Sequence, residues 1–174
     1  FFAPANDELI MLVDQKNNLE IVERVLSMDT NFDSSEIHTK EELKAFLDKV
    51  QFPSHAVIMK NTAENWTKIY KGITDYDSVV KIYDEIVVSS NSCFIETDMR
   101  AMFNPTRIRI IKEVSLKLIK KAQSVCPECL FPGFGVVGAE ASLLCSSCSM
   151  PTRSTSAHIY QCQLCNYKSR VLYP

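Results

Sequence analysis

The sequence predicts an α+β protein: a domain built on a mixed α/β sheet, followed by a small cysteine-rich module. Three observations carry that expectation. Short apolar runs alternate with two amphipathic helix patterns, the first of them capped, over the first hundred residues. A longer helix pattern then opens at Asn104-Pro105. Beyond it, six of the seven cysteines fall into three Cys-x-x-Cys pairs. The expected division is residues 1–124 and 125–174. The chain begins Phe1-Phe2-Ala3-Pro4 without a methionine, so a preceding segment is expected.

Asp7–Asp14 is an apolar run read as a mostly buried strand, and Gln15–Asn18 is a turn by composition. Leu19–Met28 spaces Leu19, Ile21, Val25 and Leu26 among charges, as a hairpin partner does. Asn31–Ser35 reads as a loop. Thr39, with Glu42 three residues on, forms a capping box, and Leu43, Phe46, Leu47 and Val50 are the apolar stripe behind it. Pro53 ends that helix. His55–Met59 reads as a buried strand, Asn61–Asn65 as a polar turn and Thr67–Lys71 as a short strand. A second helix spans about Tyr76–Ile86. Ser92–Thr97 is a third buried strand, and its unpaired Cys93 is a core residue by its apolar neighbours.

In the last helix Asn104 is the cap and Pro105 the first residue, where a missing N–H costs nothing. Ile108, Ile111, Val114, Leu118, Ile119 and Ala122 recur at helical spacing, while Arg109, Lys112, Lys120 and Lys121 make a basic face. This helix runs into the first cysteine pair with no flexible linker. Strands at Gly135–Val137, Ser142–Leu144, Ser156–Gln161 and Ser169–Leu172 are expected to feed the pairs.

The pairs read Cys126-Pro-Glu-Cys129, Cys145-Ser-Ser-Cys148 and Cys162-Gln-Leu-Cys165. Each can bend into a knuckle with two thiolates on one side, and two knuckles supply the tetrahedral S4 set that Zn2+ prefers. Fifteen residues separate the first two pairs, which match a common zinc spacing, and thirteen separate the second and third. A disulfide framework is the rival reading. No basic segment followed by an apolar stretch and a small-residue cleavage site marks secretion, so a reducing cytoplasmic setting and free thiols are expected. Iron in the same S4 geometry is the minor alternative.

Six thiolates exceed one tetrahedral ion and fall two short of a pair of unbridged ones. Four cysteines with a pair left over, a second Zn2+ drawing on His158, and bridging thiolates all remain open. For one ion the first knuckle must join either the second or the third, and spacing does not choose between them.

Charge is segregated. Residues 1–99 hold nine Lys/Arg against eighteen Asp/Glu, residues 100–124 seven against one, and residues 125–174 three against two. A polyanion meets repulsion over most of this surface, so nucleic-acid binding is expected to be weak at most and confined to helix 105–124. No apolar run approaches the ~20 residues that cross a bilayer, and no membrane partner is expected.

The densest polar stretch outside the cysteines is Glu96–Arg107. Glu96 and Asp98 share a side if the strand continues, and with Asp7 and Glu8 they are the candidate catalytic carboxylates and a candidate Mg2+ site. Arg100, Asn104 and Arg107, beside the free N–H groups of a helix start, are candidates for binding a phosphate. The plainer reading makes Glu96–Arg100 and Asp98–Arg107 salt bridges around a helix cap.

Pro4-Ala5-Asn6-Asp7-Glu8, Thr30-Asn31-Phe32, Phe52-Pro53-Ser54-His55, Lys71-Gly72-Ile73-Thr74, Glu96-Thr97-Asp98-Met99-Arg100-Ala101 and Asn104-Pro105-Thr106-Arg107 span the chain. Together with Pro151-Thr152-Arg153 they resemble a bacterial family of domains of unknown function that ends in a similar three-knuckle segment. The chain looks like the C-terminal two-thirds of that family. Longer members carry a preceding segment that is rich in Gly, Ser and His near its end and resembles nucleotide pyrophosphatases. The resemblance implies a zinc-ribbon-like module and no assigned activity. The function expected is that of a hydrolase or transferase of a phosphate-bearing, nucleotide-like small molecule with a structural zinc ribbon. The alternative is a non-catalytic module that binds a protein partner or, weakly, nucleic acid.

Overall fold

The helices start where local hydrogen bonding dictates. Thr39 accepts the Glu42 N–H at 3.2 Å and the Glu42 carboxylate accepts the Thr39 N–H at 3.3 Å, so both halves of the capping box are made and α1 (Lys40–Lys49) follows. Asp75 accepts the Ser78 N–H at 2.8 Å to open α2 (Tyr76–Ser90), which stops at Asn91 in the left-handed conformation. Asn104 accepts the Arg107 N–H at 3.0 Å and Pro105 is the first residue of α3 (Pro105–Gln123), as expected. The computed structural model describes residues 3–62 and 68–173. Residues 63–65 of the expected turn, and Thr67, lie outside the described residues.

Among the described residues the strands form three antiparallel sheets. β1 (Asn6–Asp14) and β2 (Leu19–Ser27) make a hairpin. β3 (Ser34–Ile37), β4 (Val57–Lys60), β5 (Ile69–Ile73) and β6 (Cys93–Thr97) assemble in the order β3-β6-β4-β5. β7 (Gly135–Ala141), β8 (Thr155–Gln161) and β9 (Lys168–Leu172) form a ribbon with β8 in the middle. The fold class is α+β.

Two compact units divide the chain, and the division is not at 124/125. One unit holds the residues up to Glu8 together with Val25–Glu113, and the other holds Leu9–Arg24 with Val114–Pro174. β1, β2 and α3 are each long enough to contribute to both. Composition changes at the first cysteine pair, but the units are set by which core each stretch of an element enters. That information is not local.

In the first unit α1 and α2 cover one face of the four-stranded sheet. β6 turns Cys93, Ile95 and Thr97 inward and leaves Phe94 and Glu96 on the other side. Leu43, Leu47, Val79, Tyr83 and Ile86 descend from the helices onto Val57, Met59 and Ile95. Fully burying each such apolar side chain contributes about 1.5–3 kcal/mol. Burial pushes the Cys93 thiol up to about 11, so the seventh cysteine is packing material.

Three expectations are corrected here. β1 is not mostly buried: Leu9, Met11 and Val13 are about half exposed, because a two-stranded sheet has one neighbour to cover it. Ser34 and Ser35, read as the end of a loop, open the strand Ser34–Ile37, an edge strand held by register with β6 (Ser34 opposite Glu96, Ile37 opposite Cys93). Ser142–Leu144 is not a strand, and β7 continues instead to Ala141.

His55, expected at the start of a strand, is a buried polar residue just before β4. Its Nε2 accepts the Thr106 N–H at 3.3 Å, and its Nδ1 lies 3.0 Å from the Ser54 hydroxyl, which donates to the Gln51 carbonyl. Desolvation lowers its pKa below 6.5, so the unfolded chain takes up the proton more readily than the folded one. Stability should therefore fall as pH drops below about 6.5, and urea midpoints between pH 8 and pH 5 should decline less steeply in His55→Gln. Equal slopes in the two proteins would contradict the assignment.

Candidate functional site

Each knuckle is a local structure. The Cys126 N–H donates to the Phe131 carbonyl at 2.9 Å, the Leu130 N–H donates back to the Cys126 carbonyl at 2.9 Å, and Val125 pairs with Pro132. Leu130 takes a φ of 60°, a left-handed conformation that costs a branched residue about 1 kcal/mol and is imposed by the tight turn. The third knuckle repeats the pattern: the Cys162 N–H donates to the Tyr167 carbonyl at 2.9 Å, Asn166 has a φ of 60°, and Gln161 pairs with Lys168.

The ribbon decides which knuckles meet. Gly135 pairs with Gln161, so the chain leaving the first knuckle lies beside the chain entering the third. The Phe134 ring sits 5.8 Å from Tyr160 and 5.9 Å from Tyr167. The Gln163 side chain donates to the Glu20 carbonyl at 2.6 Å, tying the third knuckle to β2. Beneath it, Leu19, Ile21 and Leu118 form a small core with Ile10, Ala122 and Phe131 around it. Gly133 passes over that core with a φ of 82°, where a Cβ would lie 3.0 Å from Ile21.

The result is one four-thiol cluster: Cys126, Cys129, Cys162 and Cys165, with all sulfurs within 4.8 Å of one another. Cys126 and Cys165 are 3.7 Å apart and Cys129 and Cys162 are 3.5 Å apart. A tetrahedral ion with Zn–S bonds of about 2.3 Å requires separations of about 3.8 Å, so the set fits. Cys126 and Cys162 are buried. The N–H groups of Cys165 and Leu164 pull the Cys162 thiol down to about 7. Cys165, against the pull of the Tyr167 N–H, is pushed up to about 12 by desolvation and its neighbouring thiols. Binding a metal here must release protons.

Cys145 and Cys148 do not join this cluster, although the spacing of the first two pairs matched a zinc pattern. They lie at the far end of the β7–β8 hairpin, beyond the pair Ala141–Thr155. Seven-residue strands put that end about 20 Å away. Among the described residues His158 joins no ligand group either; it sits within β8 with its ring edge-on to Tyr173 at 5.2 Å.

The polar stretch is also resolved. β6 ends at Thr97 and Asp98 turns inward, so Glu96 and Asp98 do not line up along one strand face. Asp98 is fully buried, receives the Arg100 guanidinium at 2.6 Å and 3.0 Å, and accepts the Gly72 N–H at 3.0 Å. Burial opposes its ionisation, but those donors outweigh it and hold the carboxyl below its ordinary value. Glu8 receives Arg107 at 2.6 Å, and Glu96 receives Lys60 at 3.1 Å. The ion pairs are thus Asp98–Arg100, Glu8–Arg107 and Glu96–Lys60, not the combinations read from the sequence. Among the described residues, Asp7, Glu8, Glu96 and Asp98 do not gather into a metal-holding group. Asn104 is fully buried and capping, with its amide donating to Asn31 at 2.8 Å. Glu96, Asp98, Arg100 and Arg107 nevertheless line one cleft of about 380 Å3 with Lys71 and Phe32.

Over residues 1–174 the chain matches the family model described as Domain of unknown function (DUF6671). It belongs to that family. No curated protein and no solved structure matches it. In this DUF6671 chain the residues that sequence reasoning missed are those that complete the polar stretch from elsewhere. Gly72 has a φ of 69° and brings its N–H to Asp98; a Cβ there would lie 2.9 Å from Phe103. Arg100 stacks its guanidinium 4.6 Å over the Phe103 ring. A lone glycine between Lys71 and Ile73 was the one available signal.

Proposed function

We propose that the protein is a zinc-stabilised binding module, with Cys126, Cys129, Cys162 and Cys165 holding one structural Zn2+ and the ribbon serving as the surface that partners meet. The closure of the site carries this reading: four protein thiolates fill a tetrahedron and leave no position for water or substrate. The bound ion supplies folding free energy, about 10–16 kcal/mol in comparable small sites. Val137, Leu144, Met150 and Leu172 of the ribbon unit are each at least 60% exposed, which supports the binding part. The Co2+-loaded chain should show tetrahedral thiolate bands that do not move when azide or inorganic phosphate is added. Bands that shift with added ligand would overturn the closed site.

One observation favours a second reading, a hydrolase or transferase of a phosphate-bearing small molecule. Lys71, Arg100 and Arg107 share the cleft beside the start of α3. Saturable heat on titrating ATP into the chain, lost in Arg100→Ala, would favour that reading. An empty titration leaves the binding module.

A further inference from the structure

The middle knuckle is built as the other two are. The Cys145 N–H donates to the Met150 carbonyl at 2.9 Å, and the Ser149 N–H donates to the Cys145 carbonyl at 2.9 Å. Leu144 pairs with Pro151, at the offset at which Val125 pairs with Pro132 and Gln161 with Lys168. Ser149 takes a φ of 55°, matching Leu130 and Asn166. The loop around it is held by its own bonds: the Thr152 N–H donates to the Leu143 carbonyl at 3.0 Å, the Leu143 N–H to the Ser154 carbonyl at 3.2 Å, and the Thr152 hydroxyl to the Leu143 carbonyl at 2.7 Å. A hairpin tip needs none of this to reverse the chain. Three copies of one metal-binding turn are present, and two of them satisfy each other.

The third is a half-site. Among the described residues no His, Cys, Asp or Glu completes a ligand group with Cys145 and Cys148. Cys148 is exposed and Cys145 half-buried. Around them Leu143, Leu144 and Met150 are 40%, 61% and 65% exposed. From Ser142 to Ser154 the only charged residue is Arg153, so two such tips can approach with little repulsion. A two-fold axis requires a self-complementary patch, and half of a tetrahedral thiolate set is self-complementary about an ion on that axis.

We propose that Cys145 and Cys148 of one chain and the same two cysteines of a second copy together hold one Zn2+, giving a metal-dependent dimer joined at the hairpin tips. Each of the four thiols gives up its proton as its sulfur binds, and no oxidation is involved. Leu144 and Met150 of the two copies close around the ion and shield it from water. This rests on the reading of the ribbon as a binding element and names its partner.

The test is the mass and the metal content of the full chain, purified with a reducing agent and titrated with Zn2+. The chain should carry about one Zn2+ as a monomer and reach about 1.5 per chain as a dimer, three ions per pair. The mass should double from 19.7 kDa, measured by sedimentation. Cys145→Ser with Cys148→Ser should stay monomeric with about one Zn2+ per chain and an unchanged melting curve. A wild-type chain that remains monomeric in excess Zn2+ overturns the proposal. So does a dimer that persists in the double variant, one that reducing agent alone dissolves, or a monomer that takes up a second ion. Loss of the first equivalent of Zn2+ in the double variant would instead implicate the four-thiol centre and the binding-module reading.

Discussion

Replacing Cys126 and Cys162 with serine should unfold one unit and spare the other. Without the ion, the stretch Leu9–Arg24 and the chain from Val114 onward keep only the small core of Leu19, Ile21 and Leu118. The loss of about 10 kcal/mol or more exceeds what so few buried side chains provide. The four-stranded sheet with α1 and α2 has its own larger core and should stay protected. Limited proteolysis with mass mapping, with and without a chelator, checks this: cuts should appear within residues 9–24 as well as in the ribbon. A chelated chain that protects both segments would refute a structural metal. Cuts confined to the residues after Ser124 would show that the β-hairpin does not depend on the ribbon.

The second large effect is expected at Asp98. Its carboxylate is fully buried and accepts from the Arg100 side chain, the Arg100 N–H at 3.1 Å and the Gly72 N–H. Asp98→Ala removes the buried acceptor that these donors share and should destabilise its unit by about 2–4 kcal/mol. Arg100 stays half in water, so its own loss should cost much less. Because the folded carboxyl is held below its ordinary value of 3.8, its contribution is present above that pH and fades as pH falls further. Urea melts of the two variants at pH 7 decide the matter. Equal, small shifts would mean that Asp98 is not the organising acceptor, and would reopen the cleft as a site whose carboxylates are kept for a ligand.

Capping shows which features could be read locally. Thr39–Glu42 and Asn104-Pro105 named the starts of α1 and α3 because a cap is a contact between residues three apart. The third start, at Asp75, was placed to within a residue by the apolar stripe alone. β3 escaped notice for the opposite reason. Ser34, Ser35 and Glu36 carry no strand preference, and the strand exists because β6 lies beside it.

The candidate site divides the same way. That three metal-binding knuckles are present is a property of three short turns of sequence, since each closes on itself within six residues. Which two share an ion is a property of the sheet. The Gly135–Gln161 pairing carries the first knuckle to the third and leaves the second at the other end of the hairpin, a choice that spacing left open. The polar stretch behaves likewise. Its charges were visible, but the partners are Glu8, Lys60 and Gly72, and chain separations of up to 99 residues closed those contacts. By itself the sequence determined the turns, the caps and the chemistry of the thiols, because those depend on neighbours along the chain. Only the tertiary structure decided which thiols face one another and which carboxylate meets which cation, because burial and strand register bring together residues that no local pattern links.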